Sequence, residues 1–282
     1  LHSTSRRQRQ MCIRDRDIKG GLNDVVMNNS PIDIDKLIEG TNEILTANRN
    51  SLQLFDMLHS MRQFDDLTYV HSVNVALIAS ILGQWLKFSE KDIRILTISG
   101  LLHDIGKIMI PNEILTKPGK LTVAEYNIMK QHVNFGYEKV KNQNIDIRIK
   151  EACLLHHEKC DGTGYPFGLK SDHIPAVAKI IAIADVYDAM TSARVYRGAL
   201  CPFEVIDTMY KDAFTKFEPE YILPFLKNVA SSYINNDVRL SDGRIGKVVL
   251  INENALSLPI VQCEDEFIDL SKTRGLTVSA IL

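Results

Sequence analysis

The chain of 282 residues has no uninterrupted apolar run near the roughly 20 residues that a membrane-spanning helix requires. Its longest, 176-AVAKIIAIADV-186, is broken by Lys179 and Asp185. Its five cysteines are odd in number and include no close CxxC pair, which favours a reducing, cytoplasmic setting. No secretory signal is legible. There is little net charge (−2) and no low-complexity tract or internal repeat. With 45% apolar and 24% charged residues the chain reads as globular, with enough length to bury a substantial core.

Charge is unevenly placed. The first sixteen residues, LHSTSRRQRQMCIRDR, hold five arginines and one aspartate, so the rest of the chain sits near −6. That leader reads as a non-native, adapter-derived segment and is set aside from fold reasoning. An acidic body disfavours nucleic acid and anionic membranes as partners. Any phosphate-bearing ligand must then be held by local cations.

Residues 17–65 read as a helical connector and residues 66–235 as helices joined by short loops. In 69-YVHSVNVALIASILGQWL-86 the residues Val73, Leu77, Ile81 and Trp85 form one helical stripe. The run 90–106 is a second helix closed by Gly106 and Pro111. The run 122–142 opens on a capping box, Thr122 with Glu125. Helical runs at 146–156 and 175–192 flank a Gly/Asp/Pro-rich loop too long to be a simple connector. From 236 to 282 the pattern changes to a small β appendage. Its signals are a hairpin at Asp242-Gly243 and short strands near 259–263, 266–270 and 277–282. The fold class expected is mainly α, a multi-helix bundle with a small C-terminal sheet.

Five of the eight histidines (His71, His103, His132, His156, His157) fall in apolar helices or at helix ends. His2, His59 and His173 do not. Asp104 adjoins His103, and Asp185 lies inside an apolar run, where a carboxylate costs several kcal/mol unless it is paired or ligates a metal. Singly, such residues are usually satisfied core groups. Together they form a plausible donor set for two divalent cations.

In order, the chain presents His71, 103-HDIGK-107, His132, 156-HHEKCDGTGYP-166 and 185-DVYDAMTSARVYR-197. This series strongly resembles the HD-GYP family, a subgroup of the HD metal-dependent phosphohydrolases, from about Thr68 to Phe225. The resemblance implies an HD-type bundle and two metal ions, iron or manganese. It assigns His71, His103, Asp104 and Asp185 to one ion, and Asp104, His132, His156 and His157 to the other, with Asp104 bridging. It implies hydrolysis of cyclic di-GMP to pGpG or GMP, with Asp104 and Lys107 catalytic. Lys107, Gly164, Tyr165, Pro166, Arg194 and Arg197 are expected to contact substrate. Leu67 stands where three-metal members carry a Glu, which weighs against a third ion. Val133, Ala193 and Val195 also depart from the family pattern but touch no ligand position. Two further readings stay open: a non-catalytic cyclic di-GMP sensor or interaction module, and a hydrolase of another cyclic dinucleotide. Homodimerisation or signalling-protein partners are compatible with either.

Overall fold

The computed structural model describes residues 24–28, 30–47, 67–192 and 199–282. The basic leader, part of the connector and the segment holding Arg194 and Arg197 lie outside the described residues. The helices are α1 (Ile34–Ala47), α2 (Leu67–Trp85), α3 (Glu90–Leu102), α4 (Asn112–Leu115), α5 (Val123–Met129), α6 (His132–Val140), α7 (Ile147–Leu155), α8 (Ala176–Thr191), α9 (Pro202–Asp212) and α10 (Pro219–Ser232). Short 3-10 turns cover Ile105–Met109 and Ser171–His173. Five strands follow: β1 (Asp237–Leu240), β2 (Ile245–Leu250), β3 (Ile260–Cys263), β4 (Glu266–Asp269) and β5 (Val278–Ile281).

Helix α2 is central. Its expected stripe is too narrow a description, because Val75, Ala76, Ile78, Ala79 and Leu82 are as fully buried as Leu77. A helix apolar on every side must be wrapped by neighbours, and α3, α8, α10 and α1 supply them. Gly100 lets α3 approach closely: a Cβ there would lie 2.4 Å from the Cα of Ala76. Helix α3 starts on Ser89, whose hydroxyl accepts from the amide of Asp92, with Glu90 and Asp92 in the first turn where the helix dipole favours anions.

The capping box at Thr122 is formed in both directions. The run it opens is not one helix, however. It breaks at Lys130–Gln131, where the Met129 carbonyl accepts from the His132 imidazole, and α6 begins with His132. The break presents His132 at a helix start, facing the end of α3.

The sheet is antiparallel throughout, in the order β4-β3-β2-β1-β5. Gly243, at φ +94°, closes the β1–β2 hairpin that Asp242-Gly243 predicts. Val238, Leu240, Val248, Val261 and Val278 point inward and join Phe203, Val205 and Met209 of α9 in the same core as the helices. The sheet is therefore built into the helical body. No helix among the described residues is long and apolar enough to cross a membrane.

Candidate metal centre

Three helix ends and two helix interiors converge on Asp104. The α3 ladder ends when the amide of His103 bonds the Ser99 carbonyl, and Asp104 (φ −101°, ψ 10°) leaves the helical path to start the 3-10 turn. This change of direction lets the adjacent His103 and Asp104 side chains enter one cavity. His132 begins α6, His156 caps α7 with His157 after it, His71 comes from the second turn of α2 and Asp185 from the interior of α8.

Asp104 is buried, and its two oxygens face opposite ways. Oδ2 lies 3.5 Å from His71 Nε2 and 3.2 Å from His103 Nε2. Oδ1 lies 3.3 Å from His132 Nε2 and 3.8 Å from His156 Nε2. Asp185 Oδ1 is 3.0 Å from His71 Nε2 and 4.0 Å from His103 Nε2, while its Oδ2 is 3.8 Å from His157 Nδ1. Two donor groups result, Asp104–His132–His156–His157 and His71–His103–Asp104, each gathered within 4.8 Å. Asp185 borders the second.

The tautomers can be read from the outer bonds. His103 Nδ1 donates to the Gly100 carbonyl (2.8 Å), His132 Nδ1 to that of Met129 (2.7 Å) and His156 Nδ1 to that of Ala152 (3.0 Å). His71 Nδ1 donates to Asp188 Oδ2 (2.8 Å). With the proton on Nδ1, Nε2 of His103, His132 and His156 turns a lone pair towards the carboxylates; His71, with its raised pKa, carries a second proton on Nε2 that a cation would displace. Lone pairs facing anions in a buried site repel unless a cation lies between them. His71 Nε2, His103 Nε2 and Asp104 Oδ1 are buried without a hydrogen-bond partner, the pattern expected of atoms whose partner is a metal ion. The residues present therefore fit the divalent cations that the donor types imply.

Electrostatics sort the candidate ligands. Burial pushes His132, His156 and His157 down, His157 to about 3, so all three are neutral and ready to ligate. Burial also opposes charge on His71, but Asp104, Asp185 and Asp188 outweigh it and raise its pKa well above the ordinary value. Burial would raise Asp104 and Asp185. The surrounding histidines, and for Asp104 also Lys107, overcome this and hold both carboxylates ionised. Cys153 lies next to the site, but burial pushes its thiol up to about 12, and its Sγ donates to the Leu102 carbonyl, so it is no ligand.

Lys107 reaches back from the 3-10 turn to Asp104 Oδ2, at the exposed rim of the cluster. Tyr165 stacks on His157 with ring centroids 4.7 Å apart. Gly164 lies against the backbone of residues 157–159, where a Cβ would be 2.4 Å from the Lys159 amide nitrogen, and Gly162 takes φ +83°. Pro166 follows through a cis peptide. The structure thus brings all seven predicted ligands and the loop residues together. His173 sits apart on the surface, paired with Asp172.

Three contributors escaped the sequence reading. Asp188 anchors His71. Glu158 is buried and accepts three loop amides, from Phe167 (2.7 Å), Gly168 (3.1 Å) and Leu169 (2.9 Å), which fixes the loop carrying Tyr165. Gly106 is more than a helix stop, since a Cβ there would lie 1.9 Å from the His132 carbonyl oxygen. Only the i, i+3 spacing of Asp185 and Asp188, one face of a helix, offered a readable signal.

Comparison with known proteins places these features in context. A family model described as an HD domain matches residues 38–221. A cyclic di-GMP phosphodiesterase of Pseudomonas aeruginosa is 36% identical over 72% of this chain and 49% of its own length. A 3'3'-cGAMP-specific phosphodiesterase of Vibrio cholerae is 36% identical over 60% of this chain and 38% of its own. The chain thus spans about half or less of the curated relatives it matches. Among solved structures, an HDG"Y"P protein from Bdellovibrio bacteriovorus superposes with a TM-score of 0.58 at 18% identity, over 76% of this chain and 70% of that one. At that identity it speaks for the fold alone.

Proposed function

Because the chain belongs to the HD domain family, we propose that it is a metal-dependent phosphodiesterase hydrolysing cyclic di-GMP to pGpG and/or GMP. The observation that carries this reading is the donor set itself. Unprotonated imidazole nitrogens and ionised carboxylates surround an aspartate whose two oxygens serve two separate groups. The substrate class rests on the names of the relatives and on the 156-HHEKCDGTGYP-166 string, which resembles the HD-GYP subgroup.

In this reading His71, His103, Asp104 and Asp185 hold one ion, and Asp104, His132, His156 and His157 a second, with iron or manganese suited to mixed imidazole and carboxylate donors. Such a pair supplies a water acidic enough to ionise at neutral pH and offsets phosphate charge. The chain's own residues do the rest. Lys107 Nζ, at the rim, donates to a non-bridging phosphate oxygen or to the leaving oxygen. The Tyr165 phenol, kept protonated by burial, walls the cavity beside His157 and can donate to substrate. Gly164 and Pro166 hold that wall in place. Arg194 and Arg197 provide guanidinium forks for the second phosphate and a guanine edge. The free cysteines suit a reducing cytoplasm.

A second substrate has specific support, because relatives named for 3'3'-cGAMP match at similar identity. A purely sensory role has less, since binding alone does not need the full donor set. The deciding experiment is anaerobic purification, loading with Mn2+ or Fe2+, and chromatographic product analysis with each dinucleotide. Turnover of cyclic di-GMP to pGpG is expected. Metal-replete protein that cleaves neither dinucleotide overturns the reading.

A further inference from the structure

Asp188 lies one helical turn after Asp185 on α8, is only 1% exposed, and lies outside both donor groups. A buried carboxylate without a cation of its own needs another reason to be tolerated. Its neighbours supply one. Oδ2 accepts from His71 Nδ1 at 2.8 Å, and Oδ1 accepts from Asn74 Nδ2 at 2.9 Å and from Ser192 Oγ at 3.3 Å. Two of its partners, His71 and Asn74, stand one turn apart on α2. The carboxylate thus spans α8 and α2 with its acceptors fully directed.

We propose that Asp188 is a positioning residue that sets the tautomer and ring orientation of His71, and that it strengthens cation binding without touching the cation. This inference rests on the reading of the cluster as a metal centre, not on the identity of the substrate. An acceptor at Nδ1 keeps a proton on that nitrogen, so Nε2, beside Asp104 and Asp185, is the nitrogen left to bind a cation. The added negative charge makes the imidazole a better donor, the arrangement that recurs behind histidine ligands. His71 is singled out by this device. His103, His132 and His156 are oriented by backbone carbonyls, whereas His71 is hydrogen-bonded through Nδ1 to a side chain.

Asn74 gives the test its resolution. Its Oδ1 is buried with no partner. In Asp188→Asn, rotation of the Asn74 amide can offer that oxygen to the NH2 group of the substituted side chain, whose own oxygen is then left to accept from His71. The substitution therefore removes charge but keeps the hydrogen bond, whereas Asp188→Ala removes both. Mn2+ dissociation constants of the folded proteins should rise by about ten- to a hundredfold for Asp188→Ala and by a smaller factor for Asp188→Asn. The Nδ1–H proton of His71 in Zn2+-loaded protein should resonate far downfield, as a strongly hydrogen-bonded proton, in wild type, remain shifted downfield in Asp188→Asn, and lose that shift in Asp188→Ala. A purely structural role would instead lower the unfolding temperature while leaving metal affinity and ring shifts unchanged, and that result overturns the inference. If wild type itself binds no Mn2+, the metal reading falls and takes this inference with it. If wild type binds and both variants match it, only the role of Asp188 is lost.

Discussion

Replacing Gly106 with Ala tests how the two donor groups are held in register. The glycine lies in the 3-10 turn two residues after Asp104, and α6 packs on it so closely that an added Cβ would sit 1.9 Å from the His132 carbonyl oxygen and 2.4 Å from the Gly136 amide nitrogen. Real Cβ atoms stay beyond about 3.0 Å, so the backbones must separate by about 1.1 Å. Neither neighbour is a flexible side-chain tip. The displaced atom belongs to His132, whose Nε2 now stands 3.3 Å from Asp104 Oδ1. Metal sites tolerate deviations of only about 0.2 Å, so the shift is several times what coordination permits. Overpacking of this kind costs about 1–3 kcal/mol of stability. The variant should therefore fold with a lower unfolding temperature and lose the ion shared by Asp104, His132, His156 and His157. Gly136→Ala in the same contact is the control, since its Cβ would meet nothing nearer than 3.3 Å. Elemental analysis after dialysis, with calorimetric unfolding, reads both effects. If Gly106→Ala retained the metal content and stability of wild type, the proposed backbone register would be refuted.

The remaining expectations concern single ligands, protons and the loop. Asp104→Ala should empty both donor groups and His157→Ala only one, read as metal per chain; equal losses would contradict the bridging role of Asp104. In the metal-free protein His71 has a raised pKa, so its protonation stabilises the fold below its unfolded value and that contribution is lost as pH rises through the raised one. Metal-free unfolding temperature should thus fall as pH is increased above neutral, while Mn2+ binding releases a proton detectable by calorimetry in buffers of different ionisation heat. A rise in temperature with pH, or no proton release, counts against this assignment. Glu158→Ala leaves three loop amides without their acceptor, at a cost of about 1–3 kcal/mol each if they stay dry. It should raise KM for cyclic di-GMP with metal content intact, and an unchanged KM would show that the loop does not shape the substrate site.

Most of the clustered donor residues were legible because their chemistry is local in type. Histidines in apolar helices and an aspartate in 180-IIAIADVYDAM-190 stand out against their surroundings whatever the tertiary packing. The hairpin at Asp242-Gly243 and the cap at Thr122 were legible for the same reason, being settled by a few neighbouring residues. What stayed hidden depends on segments far apart in the chain. The single helix expected over 122–142 breaks because a side chain, His132, takes the Met129 carbonyl. The stripe assigned to α2 ignored how many helices would cover it. Gly106 looks like an ordinary stop until α6 is laid against it, and Glu158 looks like a surface acid until the loop closes over it. Arg194 and Arg197 fall outside the described residues, so their part in the reading remains chemical.

The bonds behind the imidazoles have a consequence for how such a centre can diversify. His103, His132 and His156 take their orientation from carbonyls of Gly100, Met129 and Ala152, atoms that every residue type provides. Mutation at those positions changes the side chain and leaves the acceptor in place, so these ring orientations are inherited with the fold. His71 answers to a carboxylate that a single codon change can neutralise, lengthen or delete. Three of these four imidazoles are therefore insulated from drift in their orientation and one is exposed to it. Selection acting on metal preference or affinity in this scaffold would find its adjustable part at residue 188, in a helix whose other inward residues, Asp185 apart, are committed to the core.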